Sequence, residues 1–237
     1  MENYAVKTLD ISEEKLEKIC LLIHSEKRFK IKKFINKKDK IQTLIGKILI
    51  INIICEKLSI RNITFEKNEY GKPYLKDYPN LQFNISHSGD FVVCTIDNKP
   101  IGIDIERVKY IAYKEIAKSF FSVSEFEYIV KEDSNIELNK FYEIWTLKES
   151  YIKCCGQGLS IPLNSFSIDI DQYQKNIKVI IEKEHKEHVF TRLDIGSGYK
   201  MAVCSLNKEV SKKIIMIDQN SLINNYFRSQ LEQRELY

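Results

Sequence analysis

Apolar positions recur every three to four residues in some stretches of the chain and every second residue in others, and the alternation predicts the elements in order. In "SEEKLEKICLLI", Leu16, Ile19, Cys20 and Ile23 share one helical face and Ser12 stands at the N-cap position. "KKDKIQTLIGKILIINIICEKL" predicts a longer helix, apolar enough in its latter half to be a central core helix. The first third therefore reads helical. Strand patterns follow in "NITFEKN", "LQFNIS", "DFVVCTIDN" and "IGIDIE", with "EYGKPYL" and "HSG" as turns. Helical spacing returns in "YKEIAKSF", "SVSEFEYIVKE" and "IELNKFYEIWTLKESYIKC", and strands again in "SFSIDI", "IKVIIEKE", "HVFTRLDI" and "YKMAVCSL". Helices then strands occur twice. That pattern predicts an α+β protein of two similar lobes, residues 1–105 and 106–217, and a tail, 218–237, that forms a short amphipathic helix or frays.

Composition narrows the classes. The chain has 237 residues, 30% charged and 43% hydrophobic, as a soluble protein with a sizeable core does. A net charge of +4 does not call for nucleic acid. The charge is uneven, however: residues 26–40 hold eight basic side chains, a surface suited to phosphates or an acidic partner. Six cysteines form no CxxC pair, and the first residues lack the apolar core of a secretory signal. The longest apolar run, residues 48–55, is too short to span a bilayer. A reducing cytoplasm with free thiols, and no membrane, is the expectation.

Candidate chemistry sits on these elements. In "IGIDIE" a period of two puts Ile101, Ile103 and Ile105 on one face and Gly102, Asp104 and Glu106 on the other. Paired carboxylates repel unless a cation lies between them, and oxygen ligands suit Mg²⁺ or Mn²⁺. Gly102 would let a ligand approach the strand. A solvated strand face gives the same DxE pattern. His87 is placed in the turn between two strands, and Lys72 on a rigid loop between Gly71 and Pro73; each also reads as an ordinary turn residue. Glu149 and Lys153 stand four apart near a helix end, as a third carboxylate and a phosphate-facing cation, or as a common surface ion pair. "HKEH" at 185–188 has metal-like spacing within a charged hairpin and is assigned to solvent. Cys154 and Cys155 lack an activating neighbour.

Taken together, "YGKPYL", "FNISHSG", "IGIDIE", "IAKSFFSVSEFE", "WTLKESYIKCCGQGLSIPL" and "GYKMAVC" resemble the 4′-phosphopantetheinyl transferases, in particular the broad-specificity type that activates peptide synthetases in surfactin production. The resemblance implies a pseudo-twofold pair of α+β lobes with coenzyme A in the cleft. It implies transfer of the phosphopantetheine arm to a serine of an apo peptidyl or acyl carrier protein, with release of adenosine 3′,5′-bisphosphate. By the same resemblance Asp104, Glu106 and Glu149 hold Mg²⁺ or Mn²⁺, Glu125 is the general base, and Lys153 assists at the transferring phosphate. Lys27, Lys30, Thr43, Lys72, Ser86 and His87 hold the nucleotide end of coenzyme A. Where relatives often carry an arginine just before that threonine, this chain has Gln42, and the phosphate contact falls to the lysines around it. A monomer is implied.

Two other functions use the same residues. A Mg²⁺-dependent hydrolase would cleave coenzyme A at its pyrophosphate with water as nucleophile. A non-catalytic module would bind carrier proteins only, although the presence of all three carboxylates and Glu125 argues against a decayed site. Nucleic-acid binding rests only on residues 26–40.

Overall fold

The computed structural model describes residues 1–22, 36–60, 63–131, 133–171 and 176–234. It opens on a strand that the hydrophobic pattern does not announce. β1 (Glu2–Lys7) pairs in parallel with β12 (Ile214–Ile217) and antiparallel with β5 (Phe91–Asp97), and β5 pairs with β4 (Gln82–Ser88). A second sheet has the order β10 (Val189–Arg192), β11 (Tyr199–Ser205), β6 (Ile101–Arg107). Two smaller sheets join β2 (Phe65–Lys67) to β3 (Pro73–Leu75), and β7 (Ser167–Asp171) to β8 (Asn176–Ile181) and β9 (Glu184–His185).

Six α-helices lie among the described residues: α1 (Glu13–Leu22), α2 (Lys37–Leu58), α3 (Tyr113–Phe120), α4 (Val123–Ile129), α5 (Ser134–Cys155) and α6 (Gln219–Arg234). The expected α+β class is borne out. None of these helices is long and apolar enough to cross a membrane.

The pleat of the strands sorts the core into layers. Val6, Val92, Cys94 and Ile96 face α2 and share a cluster with its Leu44, Ile45, Ile48 and Leu49. Ala5 and Val93, on the opposite face of the same strands, meet Ile101, Ile103 and Ile105 of β6 and Met201 and Val203 of β11. Ala202 and Cys204 point the other way, into a cluster with Phe141, Leu147, Tyr151 and Cys154 of α5. The order is therefore helix, sheet, sheet, helix, with a 22-residue helix on each outer face. The isoleucines of "IGIDIE" do share a buried face, as their spacing predicts.

The C-terminal end of the chain returns to the first sheet. Besides β12 against β1, Leu222, Ile223 and Tyr226 of α6 enter the α2 cluster. β6, at the border between the expected lobes, runs Ile101–Arg107 and pairs along its whole length with β11. All six cysteines are described, and none is in a disulfide.

Candidate active site

Gly102 decides how close α5 comes to β6. A methyl group there would lie 2.1 Å from the Ser150 carbonyl oxygen, 2.4 Å from the Cys154 nitrogen and 2.9 Å from the Lys153 carbonyl carbon. What approaches this glycine is thus the helix backbone and not a ligand, a correction to the sequence reading. The close packing sets Glu149 and Lys153 of α5 beside Asp104 and Glu106, which project from the same face of β6 as Gly102.

Asp104 is 4% exposed. Its Oδ1 accepts from Lys153 Nζ at 2.6 Å and from Ser86 Oγ at 2.9 Å, and Lys153 Nζ also reaches Ser86 Oγ at 2.9 Å. Its Oδ2 is buried and has no hydrogen-bond partner, an arrangement that costs stability unless something fills the place. Glu106 accepts from Ser88 Oγ at 2.7 Å. Its carboxyl is pushed above the ordinary range chiefly by burial, with the Asp104 charge adding to the shift while Ser88 and Lys153 oppose it. Glu149 is raised too, by burial first and then by Asp104 and Glu106, against Lys153. Three carboxylates that feel one another's charge around one buried unpartnered oxygen fit a divalent cation. As they stand they are not a closed cage: no group of three such ligands is gathered among the described residues, and the Lys153 ammonium neutralises Asp104 instead.

Ser86 belongs to this cluster, on the carboxylate side of β4. His87 lies within β4, where the sequence reading places it in the turn. Its exposed side chain points the other way from Ser86. Its pKa is lowered by desolvation of the ring and then by Lys153, with Asp39 and Asp104 pulling upward. Thr43 is half-buried in α2, one turn beyond Asp39. Gln42 is buried and donates from Nε2 to the Gly89 carbonyl at 2.9 Å, so it fastens the β4–β5 turn to α2. Lys27 and Lys30 lie outside the described residues.

Two expected site residues are not with the cluster. Lys72 Nζ donates to the carbonyls of Ile101 at 3.1 Å, Lys153 at 2.7 Å and Cys154 at 3.2 Å. It ties the last turn of α5 to the start of β6, a favourable place for a cation. Asn68 assists from the same turn, donating to the Gly156 carbonyl at 2.8 Å. Gly156 has φ +75° and ends α5 in the left-handed conformation that glycine favours. The "YGK" turn and the "CCGQG" corner are therefore two sides of one joint.

Glu125 is 1% exposed. Ser122 caps α4, and Glu125 closes a capping box with it. Lys148 Nζ donates to Oε1 at 2.7 Å and to Oε2 at 2.9 Å; the backbone N–H of Ile168 donates to Oε1 at 2.7 Å and that of Ser122 to Oε2 at 2.8 Å. A carboxylate so enclosed and so fully bonded is an anchor for α4 and β7. The structure does not bring it to the cleft, against the role the resemblance implies. Of the "HKEH" pair, His185 is exposed, whereas His188 packs its ring on Tyr151 at 4.9 Å and does not simply face solvent.

A lysine paired with a buried aspartate that keeps an open oxygen, beside two carboxylates of raised pKa, is a concentration of charge of the kind that phosphate chemistry uses. Family comparison makes this specific. Residues 100–204 match the 4′-phosphopantetheinyl transferase superfamily, and residues 9–99 match the N-terminal part of a 4′-phosphopantetheinyl transferase. The 4′-phosphopantetheinyl transferase Sfp of Bacillus subtilis is 38% identical over 90% of this chain and 95% of its own length. The 4′-phosphopantetheinyl transferase gsp of Aneurinibacillus migulanus is 39% identical over 89% of this chain and 88% of its own. A mammalian relative, the L-aminoadipate-semialdehyde dehydrogenase-phosphopantetheinyl transferase of Rattus norvegicus, is 32% identical over 76% of this chain and 66% of its own. The chain belongs to the 4′-phosphopantetheinyl transferase superfamily and is an enzyme of the type represented by Sfp.

Proposed function

We propose that this transferase takes the phosphopantetheine arm from coenzyme A and delivers it to a serine of an apo peptidyl or acyl carrier protein, with a divalent cation, Mg²⁺ or Mn²⁺, at Asp104, Glu106 and Glu149. The observation that carries the reading is the buried, unpartnered Oδ2 of Asp104 among carboxylates of raised pKa. The bound cation would neutralise charge on the pyrophosphate and on the leaving group.

The serine oxygen attacks the phosphorus that carries the pantetheine arm, and the bond from that phosphorus to the bridging oxygen breaks. Adenosine 3′,5′-bisphosphate leaves. Such a reaction asks the protein for positioning and charge stabilisation. Lys153, held by Asp104 and Ser86, presents its ammonium to the phosphate. Ser86, bonded to both Lys153 and Asp104, holds that ammonium in place from β4. The serine proton needs a carboxylate with an oxygen to spare. Glu125 has none, because Lys148 and the backbone N–H groups of Ile168 and Ser122 occupy both of its oxygens.

The test is mass spectrometry of apo carrier proteins after incubation with coenzyme A and Mg²⁺, with EDTA and Asp104→Ala as controls. Addition of the phosphopantetheine mass that depends on both is the expected result. Cleavage of coenzyme A without any acceptor would replace this reading with a hydrolase.

A further inference from the structure

The two large sheets meet along β4 and β6, each the edge of its own sheet, with no main-chain ladder between them. Three alternate side chains of β4 make the bonds that cross. Asn84 Oδ1 accepts from the Ile103 N–H at 2.9 Å. Ser86 Oγ donates to Asp104 Oδ1 at 2.9 Å. Ser88 Oγ donates to Glu106 Oε2 at 2.7 Å and accepts from the Arg107 N–H at 3.0 Å. The strand period selects these three, because Phe83 and Ile85, at the alternate positions, pack into the α2 cluster.

Ser88 differs from its two neighbours. Asn84 touches only main chain, and the Ser86 hydroxyl is shared with Lys153. Ser88 uses its one hydrogen on a carboxylate while its oxygen is held by the backbone N–H of the next residue along β6. That N–H fixes where the hydroxyl points, so the hydroxyl fixes Glu106 Oε2. Glutamate has three side-chain torsions to restrain, and no other hydrogen bond to the Glu106 carboxylate is present among the described residues.

We propose that Ser88 is a positioning residue: from the opposite sheet it orients the Glu106 carboxylate toward Asp104, so the spacing of the two carboxylates depends on the seam between the sheets. The inference rests on the cation-binding role given above to Asp104, Glu106 and Glu149. Partners that orient metal-binding groups typically contribute about 10–100-fold to metal affinity or activity.

Asn84 supplies the control, since it crosses the same seam without touching a carboxylate. Mn²⁺ binding is followed by the paramagnetic resonance signal of the free ion, with melting temperatures, for the wild type, Ser88→Ala, Ser88→Thr and Asn84→Ala. Ser88→Ala is expected to raise the Mn²⁺ dissociation constant about 10-fold. Ser88→Thr, which keeps the hydroxyl, restores it. Asn84→Ala lowers the melting temperature and leaves Mn²⁺ affinity at the wild-type value. If Ser88→Ala does not fold, Ser88→Cys, close in size and a weaker donor, takes its place with the same expected direction. Unchanged affinity in Ser88→Ala, or an equal loss in Asn84→Ala, overturns the inference while the cation site stands. A wild-type protein that binds no Mn²⁺ overturns the cation site and this inference together.

Discussion

Lys148 Nζ lies 2.7 Å and 2.9 Å from the two carboxylate oxygens of Glu125, and both side chains are wholly removed from solvent. The same ammonium donates to the Phe166 carbonyl at 2.7 Å and sits 4.1 Å from the centre of the Phe166 ring. Two helices and the segment entering β7 are locked by this one pair. Breaking a buried pair by removing one charge leaves the other uncompensated and costs about 3–5 kcal/mol. Glu125→Gln is therefore expected to destabilise the protein on that scale in a urea melt, with Lys148→Met in the same molecule recovering part of the loss. Turnover of the folded protein, measured at low temperature, should fall far less than the 10²–10⁴-fold, roughly, that removal of a general base brings. A Glu125→Gln variant of native stability and greatly reduced kcat would return the base role to Glu125.

Gly102→Ala tests the contact that builds the site. The three atoms a methyl group meets are all backbone, at 2.1 to 2.9 Å, so α5 must move as a body. Overpacking of this kind costs about 1–3 kcal/mol or more. Because Glu149 and Lys153 ride on the displaced helix, kcat should drop along with stability. Wild-type melting temperature and kcat in Gly102→Ala would show that the helix has room to spare.

Lys72→Met separates a joint from a ligand contact. Three main-chain carbonyls lose their donor, and unsatisfied buried acceptors cost about 1–3 kcal/mol each. Stability should fall, and the ratio of KM for dephospho-coenzyme A to KM for coenzyme A should not change. A change in that ratio at unaltered stability would place the ammonium on the nucleotide.

The raised pKa values of Glu106 and Glu149 predict a pH dependence. A carboxyl with a higher pKa in the fold than in the unfolded chain holds its proton more tightly when folded, so ionising it costs stability. The cost is absent below the ordinary glutamate range and grows as pH climbs from there through the raised values. In EDTA these two groups should pull the melting temperature down as pH climbs above the ordinary glutamate range. Glu149→Gln should flatten that fall, and Mg²⁺ should reverse it in the wild type. Superimposable pH curves for wild type and Glu149→Gln would argue against the coupling.

The carboxylate face was legible because a strand period of two and a helical spacing of four are local rules, and Asp104, Glu106, Glu149 and Lys153 obey them. The role of Glu125 was not legible from its own surroundings, since an acid in the first turn of a helix looks alike whether it caps or catalyses. The signal lay elsewhere, in Lys148, which occupies a core position of α5 flanked by Ile144, Leu147, Tyr151 and Ile152. A lysine on a buried helical face needs a buried acid. Lys72 and Gly102 misled because a turn lysine and a strand glycine signal close approach without saying by what. β1 escaped notice because Asn3, 1% exposed, interrupts its apolar pattern; its amide instead donates to the carbonyls of Ser211 and Lys213, more than two hundred residues away. No local rule reaches that far.

The return of β12 and α6 to the first sheet bears on how the chain is made. On the ribosome, α2 and the strands β1, β4 and β5 emerge long before residues 214–217 exist. During that interval one edge of β1 has its N–H and C=O groups unpaired, and the part of the α2 cluster later covered by Leu222, Ile223 and Tyr226 faces solvent. The first sheet is begun early but completed late, and contacts of such sequence separation form slowly. Until then the nascent chain is open to chaperones and to mispairing with other chains, and residues 214–226 act as the clasp that ends that period.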